Sequence, residues 1–431
     1  MMKLSKLFVF SLVIWCSVLV LTGTYLRGRE ENSMPDSDWL IMVQLMACLL
    51  AGFLGILLIA QNPQLGASAQ LLLLFVFSAA LSGIFAMSFK ILFGYWVLLC
   101  GISLLTIGII QQADSEKTLQ LIEAAWFITL TVILFKDVTQ SFLLGDIQTS
   151  GDEPARLGSA VTHSNQLGLY AVLCFWLSFR QNNPRMRFLL NVLRAAFILI
   201  LLLTKSRTSM LGFIAGAIIF VLMQSGFKYR KGTHLQFVIL FFAASIFFFL
   251  ILSLVTNAPW AGELFTDFNR GQSATDIMSM TGRTAIWRFA FFKMHENPYS
   301  YLLGYGYNMS RFVINDGFNP LLFYVPHLHN AFIEVFFSMG SFGLIILLLL
   351  FFRSITWLFK PFELSEAFSS GFVIRAAVFA VIILLNSITE CLVVKKVNPV
   401  MILFFFYIVA LDRQHAILEQ QADLPKAIPG L

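Results

Sequence analysis

P-H-L-H-N-A-F-I-E-V-F-F-S-M-G-S-F-G, from Pro326 to Gly343, is where a long polar segment meets the start of an apolar helix. It carries two of the six histidines in the chain. Asn330 is a favourable N-cap residue. A helix entered there places His329, Phe336, Gly340 and Gly343 within about 40° of one direction at roughly 100° per residue. A titratable ring then stands at the mouth of a helix, above two glycines on its own face. Such glycines also let a membrane helix pack closely on a neighbour, with histidines that merely sit at the interface. The stretch alone allows both readings.

Composition sets the surroundings. Of 431 residues, 58% are hydrophobic, 15% aromatic and only 12% charged, and the mean hydropathy is +0.81. No soluble fold hides that much hydrocarbon, so the chain is an all-α polytopic membrane protein. Its net charge of +6 resides mainly in connecting segments, where basic residues set orientation, and nucleic-acid binding is not indicated. The five cysteines, Cys16, Cys48, Cys100, Cys174 and Cys391, lie in or at the ends of apolar runs without a C-x-x-C pair. They read as packing residues, not as disulfides or metal ligands.

Working outward, apolar runs near the ~20 residues needed to span a bilayer are expected at about 7–21, 39–60, 69–88, 91–110, 119–135, 166–179, 188–204, 208–223, 235–255, 329–352, 372–389 and 397–411. The first resembles a signal peptide in its lysines, Lys3 and Lys6, but it is long and no A-x-A site follows, which favours a retained helix. The organisation is therefore nine helices in 1–255, one large loop at 256–328, three helices in 329–411 and a cytoplasmic tail at 412–431. With a cytoplasmic amino terminus, the loops holding Arg180, Arg185 and Arg187, then Lys228, Arg230 and Lys231, then Arg353 and Lys360, all fall on the cytoplasmic side. The large loop, His329, the Lys205–Arg207 hairpin and the connection after Glu390 then share the opposite face.

Charges inside spans need partners. Glu123 and Arg194 are expected to form a structural ion pair, and Arg375 to snorkel toward the interface. Lys205 and Arg207, in a very short hairpin, suit either a phosphate or ordinary lipid-headgroup anchoring. Arg283 stands at the amino end of an amphipathic helix (Thr281 to His295), where free backbone N–H groups also favour an anion. The apolar side of that helix is expected on the membrane surface or on other helices. The glycines and tyrosines of Asn297 to Asn308 suit a turn that offers aromatic faces to sugar rings, or simply a packed loop.

Together, S-R-T at 206–208, G-R-T-x-x-W at 282–287, L-G-x-G at 303–306 and H-N-x9-G-x-x-G from His329 to Gly343 resemble the O-antigen ligase family, which is related to the O-antigen polymerases. The segment from Arg156 to Asn165 is similar to the family's loop before its sixth helix. The resemblance implies transfer of a glycan from an undecaprenyl-diphosphate carrier to an acceptor hydroxyl, lipid A-core or another glycan acceptor, at the periplasmic face of the bacterial inner membrane. It implies no metal and no cofactor. His329 would be the general base, and Arg207 and Arg283 would hold the diphosphate. Lys205, His327, Asn330, Glu390, Arg156 and Asn165 would support them, with Gly340 and Gly343 packing the helix. A single displacement predicts inversion at the anomeric carbon. A polymerase using the same donor stays open beside the ligase. A transporter, the alternative of another class, predicts inverted repeats and charges at mid-membrane.

Overall fold

The computed structural model describes residues 5–24, 39–113, 115–143, 157, 164–180, 186–224, 283–317, 325, 327–358, 370–391 and 397–422. These residues form helices α1 (Lys6–Thr24), α2 (Trp39–Gln61), α3 (Ala67–Leu81), α4 (Phe89–Gln111), α5 (Glu116–Leu143), α6 (Ser164–Leu177), α7 (Arg187–Thr204) and α8 (Arg207–Gln224). Then come α9 (Arg283–Glu296), α10 (Ser300–Leu303), α11 (Ser310–Gly317), α12 (Ala331–Leu358), α13 (Ser370–Thr389) and α14 (Pro399–Ala422). No strand occurs among the described residues. Eight of these helices are long and apolar enough to cross a membrane, and α1 and α8 add shorter apolar segments. The protein is thus an all-α, multi-pass membrane protein. The span expected at 235–255 and the expected site residue Arg156 lie outside the described residues. The helix expected to stop at residue 411 continues to Ala422.

The packing follows from small residues and large rings. A Cβ on Gly101 would stand 2.0 Å from the Cys48 carbonyl oxygen, and one on Gly55 would stand 2.4 Å from the Leu104 carbonyl carbon. Helices α2 and α4 therefore touch backbone to backbone, the contact that dispersion favours in lipid. Trp15 meets Trp126 edge to face at 4.9 Å and donates its indole N–H to Thr106 Oγ1 at 3.1 Å, so a buried polar edge is satisfied. Large apolar side chains such as Phe188, Val221, Ile128 and Phe352 point outward. That is the expected face toward hydrocarbon chains.

Two expectations about buried charge are corrected. Glu123 pairs with Arg375, not with Arg194: its carboxylate accepts from Arg375 Nε at 2.9 Å and Nη2 at 2.6 Å and from the Tyr407 hydroxyl at 2.7 Å. Arg375 is buried and does not snorkel. Arg194 instead donates to Ser178 Oγ at 2.8 Å, Ser178 O at 2.9 Å and Asn191 Oδ1 at 2.8 Å, with its guanidinium 4.0 Å from the Phe179 ring. Similar depth in two spans does not make them neighbours; helix adjacency decides, and α5, α13 and α14 converge on Glu123. At the same end of the bundle, Asp412 bridges Arg353 at 2.7 Å and the Ser68 amide at 2.6 Å, placing a carboxylate on the first turn of α3.

The other end gathers the start of α6, the α7–α8 turn, α9 to α11, the start of α12 and the end of α13. The α7–α8 turn is tight because Lys205 takes a left-handed conformation, φ 48°, and closes α7 through its amide to Leu202 O at 3.1 Å. Ser206 then enters α8, its hydroxyl meeting Ser209 Oγ at 2.9 Å. Gly168 of α6 lets this turn approach: a Cβ there would lie 2.8 Å from Thr204 Oγ1 and 3.0 Å from Ser206 Cβ.

Candidate active site

The site is built on Glu390, the residue after α13. Its Oε1 accepts from Asn165 Nδ2 at 2.7 Å and from Arg283 Nη2 at 3.3 Å. Its Oε2 faces His327 Nε2 at 3.5 Å and His329 Nδ1 at 3.7 Å, the latter an ion-pair separation and not a hydrogen bond. The two imidazoles lie against each other, with ring centroids 4.0 Å apart. Burial alone would raise the Glu390 carboxyl, but the facing His327 and His329 outweigh it and hold the group well below the ordinary carboxylate range. The result is a buried carboxylate kept ionised amid donors from α6, α9 and the loop before α12.

Each donor has its own anchor. Asn330 caps α12 as expected, its Oδ1 accepting from the Phe332 and Ile333 amides at 3.0 Å each; such a cap contributes about 1 kcal/mol. The same side chain donates to Ile388 O at 2.8 Å, fastening the start of α12 to the end of α13. Arg283 also donates through Nη1 to Thr389 O at 2.7 Å. Thr389 Oγ1 meets Thr208 Oγ1 at 3.1 Å, and Ser209 Oγ donates to Asn165 O at 3.0 Å. Arg207, first residue of α8 and beside Thr208, is thereby set next to the same group of residues. Leu157, adjoining Arg156, donates its amide to Leu203 O at 3.0 Å.

His329, Phe336, Gly340 and Gly343 do not share one continuous helical face, contrary to expectation. His329 precedes the helix in a left-handed conformation, φ 52°, and Gly340 interrupts α12 at φ 66°, ψ −169°. The break is made by the loop. Tyr305 and Gly306 donate their amides to Phe337 O at 3.0 Å and Ser338 O at 2.9 Å, so carbonyls released by the break are satisfied. Neither Gly340 nor Gly304 tolerates a Cβ. One on Gly340 would lie 2.2 Å from Leu302 O, and one on Gly304 2.2 Å from the Ser338 carbonyl carbon. Gly343 faces Met339 of its own helix, 2.4 Å from where a Cβ would stand. The apolar side of α9 packs on other parts of the protein: Ile286, Trp287, Phe289 and Ala290 join Ile314, Val325, Leu328 and Phe337. Tyr307 is buried and Tyr305 packs on Phe337 at 5.0 Å, so of the loop's tyrosines these two are packing residues.

Glu334 escaped the sequence reading. It is 1% exposed and accepts from the Leu328 amide at 3.0 Å, from Ser338 Oγ at 3.3 Å and from the Ser310 hydroxyl. A carboxylate inside an apolar helix, five residues after His329, was the available signal. His327, His329 and Glu390 are also a metal-capable set, with ligand atoms within 4.8 Å of one another. The Arg283 guanidinium brings a positive charge to the same carboxylate at 3.3 Å.

A multi-pass membrane protein with two histidines, an asparagine and an arginine gathered around a buried carboxylate at one end of its helices is the class these features define. Residues 192–348 match the family model described as O-antigen ligase, and over this segment the chain is similar to that family. The matched segment contains Arg207, Arg283, His327, His329, Asn330, Gly340 and Gly343; Asn165 and Glu390 lie outside it. A comparison with curated proteins found no match.

Proposed function

We propose that the protein transfers a glycan from an undecaprenyl-diphosphate carrier to an acceptor hydroxyl at the periplasmic face of the inner membrane, as an O-antigen ligase acting on lipid A-core. The observation that carries this reading is the gathering of His329, His327, Glu390, Asn165 and Arg283 at one end of the spans. Diphosphate is already a competent leaving group. The protein need only neutralise its charge and deliver an oxygen nucleophile, and arginines do the first through charge-assisted hydrogen bonds. Arg207 and Arg283 take that role, with Arg283 exchanging its contact to Glu390 for phosphate oxygens.

His329 removes the acceptor proton. With Nδ1 toward an ionised carboxylate, the favoured neutral tautomer carries its proton on Nδ1 and its basic lone pair on Nε2. His329 is the more open of the pair, its side chain 24% exposed against 14% for His327, so His327 shields and orients. Direct displacement inverts the anomeric carbon. Two of the charge pairs inside the described spans, Glu123 with Arg375 and Asp412 with Arg353, are closed ion pairs, unlike the exposed charges of a transporter's ion path.

The test is reconstitution of purified protein with undecaprenyl-diphosphate-linked glycan and lipid A-core, comparing wild type with His329→Ala and Arg207→Ala. Transfer lost in both variants is expected; full transfer by both overturns the mechanism. Elongation of lipid-linked glycan in place of transfer to lipid A-core makes the protein a polymerase using the same donor.

A further inference from the structure

Leu328 lies between the two histidines, and the peptide groups on both sides of its Cα are held. Its N–H donates to Glu334 Oε2 at 3.0 Å, and its carbonyl accepts from Trp287 Nε1 at 2.6 Å. Its side chain is fully buried among Ala290, Ile314 and Phe337. The next residue, His329, keeps a left-handed φ of 52°. For a residue with a Cβ such a conformation costs energy and persists only when the surroundings enforce it. Asn330, on its far side, is fixed by the α12 cap and by Ile388.

We propose that Trp287 and Glu334 clamp the backbone on both sides of Leu328 and are positioning residues for His329, an inference that rests on reading His329 as the general base. Neither side chain touches the carboxylate of Glu390. They act by fixing the two peptide planes that flank the Leu328 Cα, Glu334 the one shared with His327 and Trp287 the one shared with His329, so that both imidazoles turn toward Oε2. Glu334 extends the clamp: Ser310 of the loop and Ser338 of α12 donate to the same carboxylate, and Cys391 Sγ lies 3.8 Å from its Oε2. The loop, the membrane helix and the residue next to Glu390 are thus referred to one buried anion. Proton abstraction depends on sub-ångström placement of the base, and a 1 Å error costs roughly a hundredfold in rate.

The informative variant is Trp287→Phe, which keeps an aromatic ring in the apolar cluster and removes only the indole N–H. Glu334→Gln is the second, because it preserves volume. Two quantities are measured on the full-length protein in lipid. One is steady-state transfer from undecaprenyl-diphosphate-linked glycan. The other is the rate at which diethyl pyrocarbonate modifies His329, localised by fragment-ion mass spectrometry. The expected result is a kcat lowered roughly tenfold to a hundredfold at unchanged donor KM, with an altered His329 modification rate in both variants. Wild-type kcat, or a lowered kcat with wild-type His329 reactivity, overturns the proposal. Full transfer by His329→Ala would instead remove the base assignment, while the reactivity arm still judges whether the clamp sets this histidine.

Discussion

Two buried carboxylates, Glu123 and Glu390, each face an arginine, and they are used differently. Glu123 is closed off: both oxygens are taken by one guanidinium at 2.6 and 2.9 Å, with a tyrosine hydroxyl at 2.7 Å. Glu390 is shared among four side chains from three separate elements at 2.7 to 3.7 Å. A short two-pronged pair in a dry interior fixes three helices together and has nothing to exchange. A shared carboxylate at the boundary keeps several partners oriented without saturating any, and one partner can be traded for a substrate anion. The same residue types thus make a closed strut at one end of the bundle and a shared, exchangeable cluster at the other.

The comparison breaks if the two ends respond alike. His329→Ala is expected to lower transfer by about 10²–10⁴-fold while leaving the thermal unfolding of detergent-solubilised protein unchanged. Glu123→Ala strands the Arg375 charge and is expected to destabilise by about 3–5 kcal/mol, read by the same thermal unfolding, whereas replacing both partners by Leu and Met restores most of the loss.

Acid separates the two ends further. Glu390 is held well below the ordinary carboxylate range, so its stabilising contribution is full above about pH 4.3, the ordinary glutamate value, and is lost as pH falls from there through the folded-state value. The stability difference between wild type and Glu390→Gln is therefore expected to stay constant near neutrality and to shrink only in acid, measured by unfolding at a series of pH values. The smallest effect is expected from a chelator. With Arg283 supplying the charge at Glu390, ethylenediaminetetraacetate should leave transfer unchanged, and loss of activity restored by added zinc would make the two histidines and Glu390 a metal centre.

The legible part of the molecule was what periodicity and local chemistry encode. Runs of apolar residues located the long apolar helices among the described residues, and Asn330 before an apolar run announced the cap that the hydrogen bonds display. Pairings between distant helices were not legible. Glu123 and Arg375 are 252 positions apart, and nothing in their local spacing says that α5 and α13 are neighbours. The break at Gly340 was hidden for a related reason: glycine in a membrane helix ordinarily signals close packing, and its left-handed conformation arises only because a loop inserts its amides there. Glu334 could have been flagged from its apolar context, but its contacts to Leu328, Ser310 and Ser338 depend on the docked loop.

That docking has a bearing on how the protein is made. The segment carrying Arg283, Trp287 and the Tyr305–Gly306 amides leaves the ribosome before the helix that receives it. Its acceptors, Phe337 O and Ser338 O, exist only after α12 has been synthesised and interrupted at Gly340, and Glu390 arrives later still, behind α13. The site is therefore assembled last, from the carboxy-terminal side, and a nascent chain that stops short of the end of α13 carries Arg283 without the Thr389 carbonyl and Glu390 carboxylate that accept from it.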